Sequence, residues 1–242
     1  YVFLNGEDDL LATVKKPWKN EIIRFGMSKK DAVYATDVVN KGLPGSEAVI
    51  HVADTQFPVK VPLPGVHMVL NALAATAVGW QLGLTTEQIA KGIAQVQAVA
   101  GRSHVIETPD YILIDDCYNA NPVSMKAAID LLGTALQRKV AILGDMFELG
   151  KDEAILHAQI GEYAMTHGVD VLICIGELSK HMYDRAVETS SGKEHGSREI
   201  HYFPTREEAM AQIPHILHTG DAVLIKASHS MKFEEMIELL EN

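Results

Sequence analysis

The chain has 242 residues, 47% of them hydrophobic and 22% charged, which excludes disordered and collagen-like classes and suffices for one large domain or two ordinary ones. Its formal net charge of -11 leaves no concentrated basic face, so no nucleic-acid partner is expected, and any anionic ligand must be met by local Lys, Arg or backbone N–H groups. Cys117 and Cys174 are the only cysteines and lack C-x-x-C spacing, which argues against a disulfide scaffold or structural zinc and fits a reducing cytoplasm; no apolar run approaches the roughly 20 residues of a membrane span.

The opening run Tyr1-Val2-Phe3-Leu4 is strand-like and is followed at once by Asn5 and the acidic pair Asp8-Asp9. That reads as the middle of a domain, so the chain is expected to be the carboxyl-terminal part of something longer. Residues 22–25, 32–35, 48–52 and 57–61 read as short strands separated by Gly, Pro or charged breaks, and their alternation predicts an antiparallel meander. Pro62-Leu63-Pro64-Gly65 closes it. Residues 66–79 predict a helix with Val66, Val69, Leu70, Leu73 and Ala77 at helical spacing and His67 and Asn71 together on one face. Thr85 or Thr86 caps a second helix, with Glu87 in its first turn and Ile89, Ile93 and Val96 expected to be buried.

From Val105 onward strand and helix alternate. Strands are expected at 105–107, 112–115, 140–143, 171–175, 200–203 and 222–225, and helices at 124–136, 153–167, 178–188, 206–213 and 233–240. The fold class is α/β: a mostly parallel, Rossmann-like sheet with helices on both faces, preceded by part of another α/β domain. The composition shifts around 98–102, giving domains 1–100 and 101–242. The polar run 189–197 reads as a surface loop.

The stretch that organises the chain is 111–125, Y-I-L-I-D-D-C-Y-N-A-N-P-V-S-M. A short apolar strand ends in Asp115 and Asp116, then come a turn and a helix, and ligands of open α/β sheets sit at such carboxyl ends. Asn and Asp could simply cap the helix, but two Asp, a Tyr and two Asn exceed what capping requires. Gly144-Asp145-Met146-Phe147-Glu148-Leu149-Gly150-Lys151 puts a second carboxylate pair at a strand end; five residues between its glycines and Asp152 after the Lys rule out a P-loop. Lys226-Ala227-Ser228-His229-Ser230-Met231 forms a third group, able to meet a carboxylate or phosphate or merely to cap a helix. Arg102, directly after Gly101 at the boundary, is a candidate to reach a ligand between domains. Cys117 has no positioned base and reads as a partly buried, inert thiol. His157, His167, His195, His201, His215 and His218 show no metal-ligand spacing and are assigned to surface or helix-end positions. Spacing alone points to a cleft enzyme that handles a nucleotide.

The segments G-V-H-M-V-L-N-A-L-A-A at 65–75, G-R-S at 101–103, D-D-C-Y-N-A-N-P-V-S-M at 115–125, G-D-M-F-E-L-G at 144–150 and K-A-S-H-S-M at 226–231 resemble the Mur ligase family over nearly the whole chain. D-D-x-Y-N-A-N-P with G-D-M-x-E-L-G is similar to the branch that adds D-alanyl-D-alanine; the G-x-H and G-R elements are shared with folylpolyglutamate synthetases. The resemblance implies ATP and Mg²⁺ as cofactors and UDP-N-acetylmuramoyl tripeptide and D-alanyl-D-alanine as substrates of an amide ligation through an acyl phosphate, in a cytoplasmic monomer. It implies that Asn71 contacts adenine with His67 nearby, the latter also as a metal ligand. Arg102 and Asp116 would hold ribose and phosphate, Tyr118, Asn119 and Asn121 would face the cleft, and Lys226 and Ser228 would sit near the substrates. Met68 stands where the family usually has Asn, and Ala227 and His229 where it has Gly and Arg. The family's phosphate loop and UDP-binding domain would precede Tyr1, so this fragment is not expected to turn over. Two other readings stay open: a related ligase with another acceptor, and a non-catalytic nucleotide-binding module.

Overall fold

The computed structural model describes residues 1–15, 19–191 and 198–241, which form two compact units, Tyr1–Gln97 and Ala98–Asn242. In the first, β1 (Val2–Asn5), β2 (Ile22–Gly26), β3 (Val33–Asn40), β4 (Ser46–Val52) and β5 (Thr55–Val61) lie side by side in chain order. The expected antiparallel meander holds only for β3 to β5; β1, β2 and β3 are parallel. Only Phe25 and Gly26 of β2 pair with β3, opposite Val33 and Tyr34, so a tight loop replaces the usual crossover helix. A short helix that the sequence did not suggest, α1 (Asp9–Ala12), follows β1, with the Asp8 carboxylate accepting from the N–H groups of Leu10 and Leu11.

Strict alternation on β4 and β5 turns Ala48, Ile50, Val52, Phe57, Val59 and Val61 to one face, where α2 (His67–Gln81) and α3 (Thr86–Ala94) cover them with Val69, Leu73, Ile89 and Ile93. Each such Val, Leu, Ile or Phe side chain stabilises by about 1.5–3 kcal/mol. Thr85, not Thr86, is the cap: its Oγ1 accepts from the Gln88 N–H at 3.3 Å while Gln88 Oε1 accepts from the Thr85 N–H at 2.9 Å. Val96 is half exposed rather than buried, because α3 has already ended and helical spacing no longer aims its side chain.

In the second unit β6 (His104–Glu107), β7 (Ile112–Asp115), β8 (Lys139–Gly144), β9 (Val171–Ile175), β10 (Glu199–Phe203) and β11 (Ala222–Lys226) make one sheet in the order β10-β9-β8-β11-β7-β6. Every pair is parallel except β6 with β7. Among the described residues its α-helices are α4 (Pro122–Gly133), α5 (Glu153–Thr166), α6 (Ser179–Ser190), α7 (Arg206–Ile216) and α8 (Glu234–Glu241). Side chains of α7 and α8, among them Ile213 and Met236, pack on Leu113, Ile142 and Ile225, while α4 and α6 lie against β8, β9 and β11. Central β8, β9 and β11 are buried on both faces, which is why their sequences are unbroken apolar runs. Helix α4 starts earlier than expected, since Asn121 caps it and Pro122 fits its first position, and α7 runs on through Pro214 in its last turn. Of the expected surface loop, Thr189 and Ser190 belong to α6, and 192–197, His195 included, lie outside the described residues. Because β11 inserts between β7 and β8, the carboxyl ends of these three strands are neighbours.

Candidate functional site

At that shared edge the two adjacent acids of β7 have different tasks. Asp115 is buried; its Oδ2 accepts from the Gly101 N–H at 2.6 Å, and its Oδ1 from the Cys117 N–H at 3.3 Å and the Cys117 thiol at 3.0 Å. Burial and the Asp115 carboxylate push the Cys117 thiol well above its usual range, so it stays protonated and unreactive, as the sequence suggested. Asp116 accepts through Oδ1 from the Ser103 N–H at 2.8 Å and the Ser103 hydroxyl at 3.3 Å, and its Oδ2 lies 2.6 Å from Lys226 Nζ. The Lys226 ammonium also donates to the carbonyls of Asn119 at 2.8 Å and Asp116 at 3.3 Å. With 2% exposure and three acceptors for three N–H bonds, it is saturated. Lys226 therefore latches the end of β11 to the loop after β7, and the fixed positive charge expected for a phosphate or carboxylate is already neutralised.

The two carboxylates thereby clip the turn 101–103. Gly101 adopts φ +77, and a Cβ there would stand 3.1 Å from the Tyr118 backbone nitrogen, whose N–H donates to the Gly101 carbonyl at 3.0 Å. Between the clips Arg102 points outward, its guanidinium carbon 4.1 Å from the centre of the Tyr118 ring, with the His229 ring 5.7 Å beyond. Such stacking is worth about 0.5–1 kcal/mol at an exposed site. Asn119 folds its Oδ1 onto the Ala120 N–H at 2.8 Å, and Asn121 is the cap of α4, accepting from the Ser124 N–H at 2.9 Å.

The loop after β8 is anchored to the same edge. Asp145 is buried and accepts from the Ser179 N–H and hydroxyl, both at 2.7 Å, so one member of the second expected carboxylate pair secures the start of α6; Glu148, the other, is exposed at φ 64. Ser228 donates its N–H to the Asp145 carbonyl at 3.0 Å and accepts from the Phe147 N–H at 2.9 Å through its hydroxyl. His157 corrects an expectation: it is fully buried on α5, not at a surface or helix end. Its Nε2 accepts from the Met146 N–H at 2.9 Å and its Nδ1–H donates to the Glu153 carbonyl at 2.7 Å, which fixes the tautomer. Burial lowers its proton affinity, keeping the ring neutral. The sequence names Ser103 only as part of the G-R-S segment and His157 only as a surface or helix-end residue; the bonds that give them their places are found through their partners.

In the first unit His67 and Asn71 are both exposed one turn apart at the start of α2. Asn71 Nδ2 donates to Met68 Sδ at 3.3 Å, and the His67 ring lies against Gly65, 2.5 Å from where a Cβ would stand. Among the described residues no group of three or more His, Cys, Asp or Glu side chains gathers to hold a metal ion.

Residues 101–229 match the Mur ligase, glutamate ligase domain, and residues 1–79 the Mur ligase middle domain. The chain belongs to the Mur ligase family. It is similar to the UDP-N-acetylmuramoyl-tripeptide--D-alanyl-D-alanine ligase of Escherichia coli K12, with 30% identity over 91% of this chain and 47% of the relative. The ligase of the same name from Treponema pallidum is 36% identical over 85% of this chain and 43% of the relative. The crystal structure of MurF from Acinetobacter baumannii matches with a TM-score of 0.86 at 28% identity, over 99% of this chain and 52% of that one. The chain thus spans about half the length of the curated relatives it matches.

Within this Mur ligase chain the expected residues sort by accessibility. Asp116, Tyr118, Asn119, Asn121, Lys226 and Ser228 share the second unit's strand-end edge, joined through Ser103 to Arg102, while His67 and Asn71 sit on the first unit's α2. Of the edge group, Arg102, Tyr118, Asn119 and Asn121 are exposed, whereas Lys226 and Ser228 are buried in bonds that build the edge.

Proposed function

We propose that the protein carrying this chain is an ATP-dependent carbon–nitrogen ligase that adds D-alanyl-D-alanine to UDP-N-acetylmuramoyl tripeptide in peptidoglycan precursor synthesis, as a cytoplasmic monomer. The tripeptide carboxylate attacks the γ-phosphorus of ATP and ADP leaves; the dipeptide amine then attacks the acyl carbon, loses a proton and expels phosphate. What carries this reading is that both units match Mur ligase domains and that relatives bearing this activity in their names align across both.

The exposed groups take the ligand roles. Asn71 reads adenine with His67 beside it, Arg102 meets the ribose and phosphates, and Tyr118, Asn119 and Asn121 contact the substrates. Asp116 acts by fixing the turn that carries Arg102, and Lys226 by holding the Asn119 loop; Ser228 sits close to the incoming amine. Mg²⁺ favours oxygen ligands in octahedral array, so an ion accompanying ATP would take its ligands chiefly from phosphate oxygens and water rather than from the His67 ring.

The test is phosphate release by the full-length protein with ATP, Mg²⁺, UDP-N-acetylmuramoyl tripeptide and D-alanyl-D-alanine; dependence on all of them is expected, and no release sinks the proposal. This chain alone is expected to be inactive. The "glutamate ligase" description of the matching domain favours one second reading, a ligase with another amino acceptor. Release with a different amine replacing the dipeptide would select it.

A further inference from the structure

The reading above leaves unassigned an exposed aromatic ring on the strand-end edge. Phe147 is 41% exposed at the tip of the loop after β8, and its N–H is tied to the Ser228 hydroxyl. The loop is anchored at the ring's own residue and at the two residues before it. Asp145 is held by Ser228 and Ser179, and Met146, fully buried, has its N–H held by His157, whose other nitrogen is fixed to the Glu153 carbonyl. An aromatic ring left in water while its backbone is this rigidly fixed is organised to meet something apolar.

We propose that Phe147 is a specificity-determining contact for the methyl side chains of the incoming dipeptide and that His157 is the residue that positions it. The inference rests on D-alanyl-D-alanine being the acceptor. A dipeptide whose only side chains are methyl groups can be told from its neighbours by apolar contact of matched size alone, and an exposed ring whose backbone N–H is held by the Ser228 hydroxyl supplies one. His157 is suited to the positioning role because its hydrogen bond to Met146 sits one residue from the ring and cannot be replaced by water in a fully buried site. Neutrality of the buried imidazole keeps that bond intact across the physiological range.

Four variants of the full-length enzyme test this, each read as kcat and KM for all three substrates. Phe147→Ala is expected to raise the dipeptide KM about 10-fold, the low end of what a hydrophobic pocket loses with one methylene. The KM for ATP and for the UDP-tripeptide should stay within about two-fold, and the preference for D-alanyl-D-alanine over D-alanyl-glycine should flatten. His157→Leu should show the same signature, His157→Gln, which keeps an acceptor for Met146, should restore it toward wild type, and Phe147→Ala combined with His157→Leu should be no worse than the worse single variant. An unchanged dipeptide KM in Phe147→Ala overturns the contact; effects that multiply in the double variant overturn the positioning. If His157→Leu does not fold, His157→Asn, too short to span Met146 and Glu153, takes its place with the same expectation. A wild-type enzyme without dipeptide-dependent phosphate release refutes the parent reading, whereas an active wild type with an unaltered Phe147→Ala refutes this inference alone.

Discussion

In the first unit His67 and Asn71 stand in solvent on the opening turn of α2, whereas in the second Asp115, Asp145, Lys226 and Ser228 are buried beneath the carboxyl edge of the sheet with their polar atoms paired. A buried polar atom must be satisfied by the protein itself, so it becomes part of the scaffold; an exposed one is satisfied by water and can exchange that water for a ligand. Residue type alone therefore does not separate Lys226, whose N–H bonds are already taken, from the exposed Arg102.

The comparison is sharpest where a buried pair is broken. Lys226→Met should cost about 3–5 kcal/mol by urea denaturation, because it strands the Asp116 carboxylate and two loop carbonyls. A loss below about 1 kcal/mol would put this pair in the class of surface ion pairs and undo the distinction. Next, His157→Leu should cost about 1–3 kcal/mol, the penalty for leaving the buried Met146 N–H without a partner. Its pH dependence has a definite sign. Burial lowers the folded-state proton affinity of His157, so as pH falls the unfolded chain takes up the proton first. The stability from the neutral ring is complete above the unfolded value near about 6.5 and declines as pH drops from there toward the lowered folded value. Denaturation at successive pH values should show this slope in wild type and its loss in His157→Gln; parallel curves would refute it.

On the exposed side stability should hardly move. Asn71→Ala is expected to change it by no more than about 0.5 kcal/mol while weakening nucleotide binding by the full-length enzyme in calorimetry. A variant that unfolds more readily but binds nucleotide normally would assign Asn71 to the scaffold. The smallest effect is expected from Met68→Asn, which adds an amide beside Asn71 and should strengthen nucleotide affinity modestly; unchanged binding would count against an adenine-facing role for this turn.

Much of the second unit was legible in advance. Strands at 112–115 and 171–175 fall where the apolar runs predict them, because a strand covered on both faces tolerates no polar interruption. Local chemistry was partly legible: Thr85, one of two expected caps, closes with a partner three residues away, whereas α4, capped by Asn121, begins two residues ahead of its expected start. The direction of β1 and β2 relative to β3 was not, since period-two alternation is the same in parallel and antiparallel pairs and the loop path decides between them. The candidate site divides along the same line. Its members could be named from the D-D-C-Y-N-A-N-P, G-D-M-F-E-L-G and K-A-S-H-S-M segments, but not which would remain free for a ligand. Lys226 meets Asp116 across 110 positions and His157 meets Met146 across 11, both between different elements. The order of residues records which groups a chain possesses and which near neighbours they can reach. Which of those groups water is kept from, and which distant carbonyl or carboxylate then satisfies them, is decided only when the strands assemble.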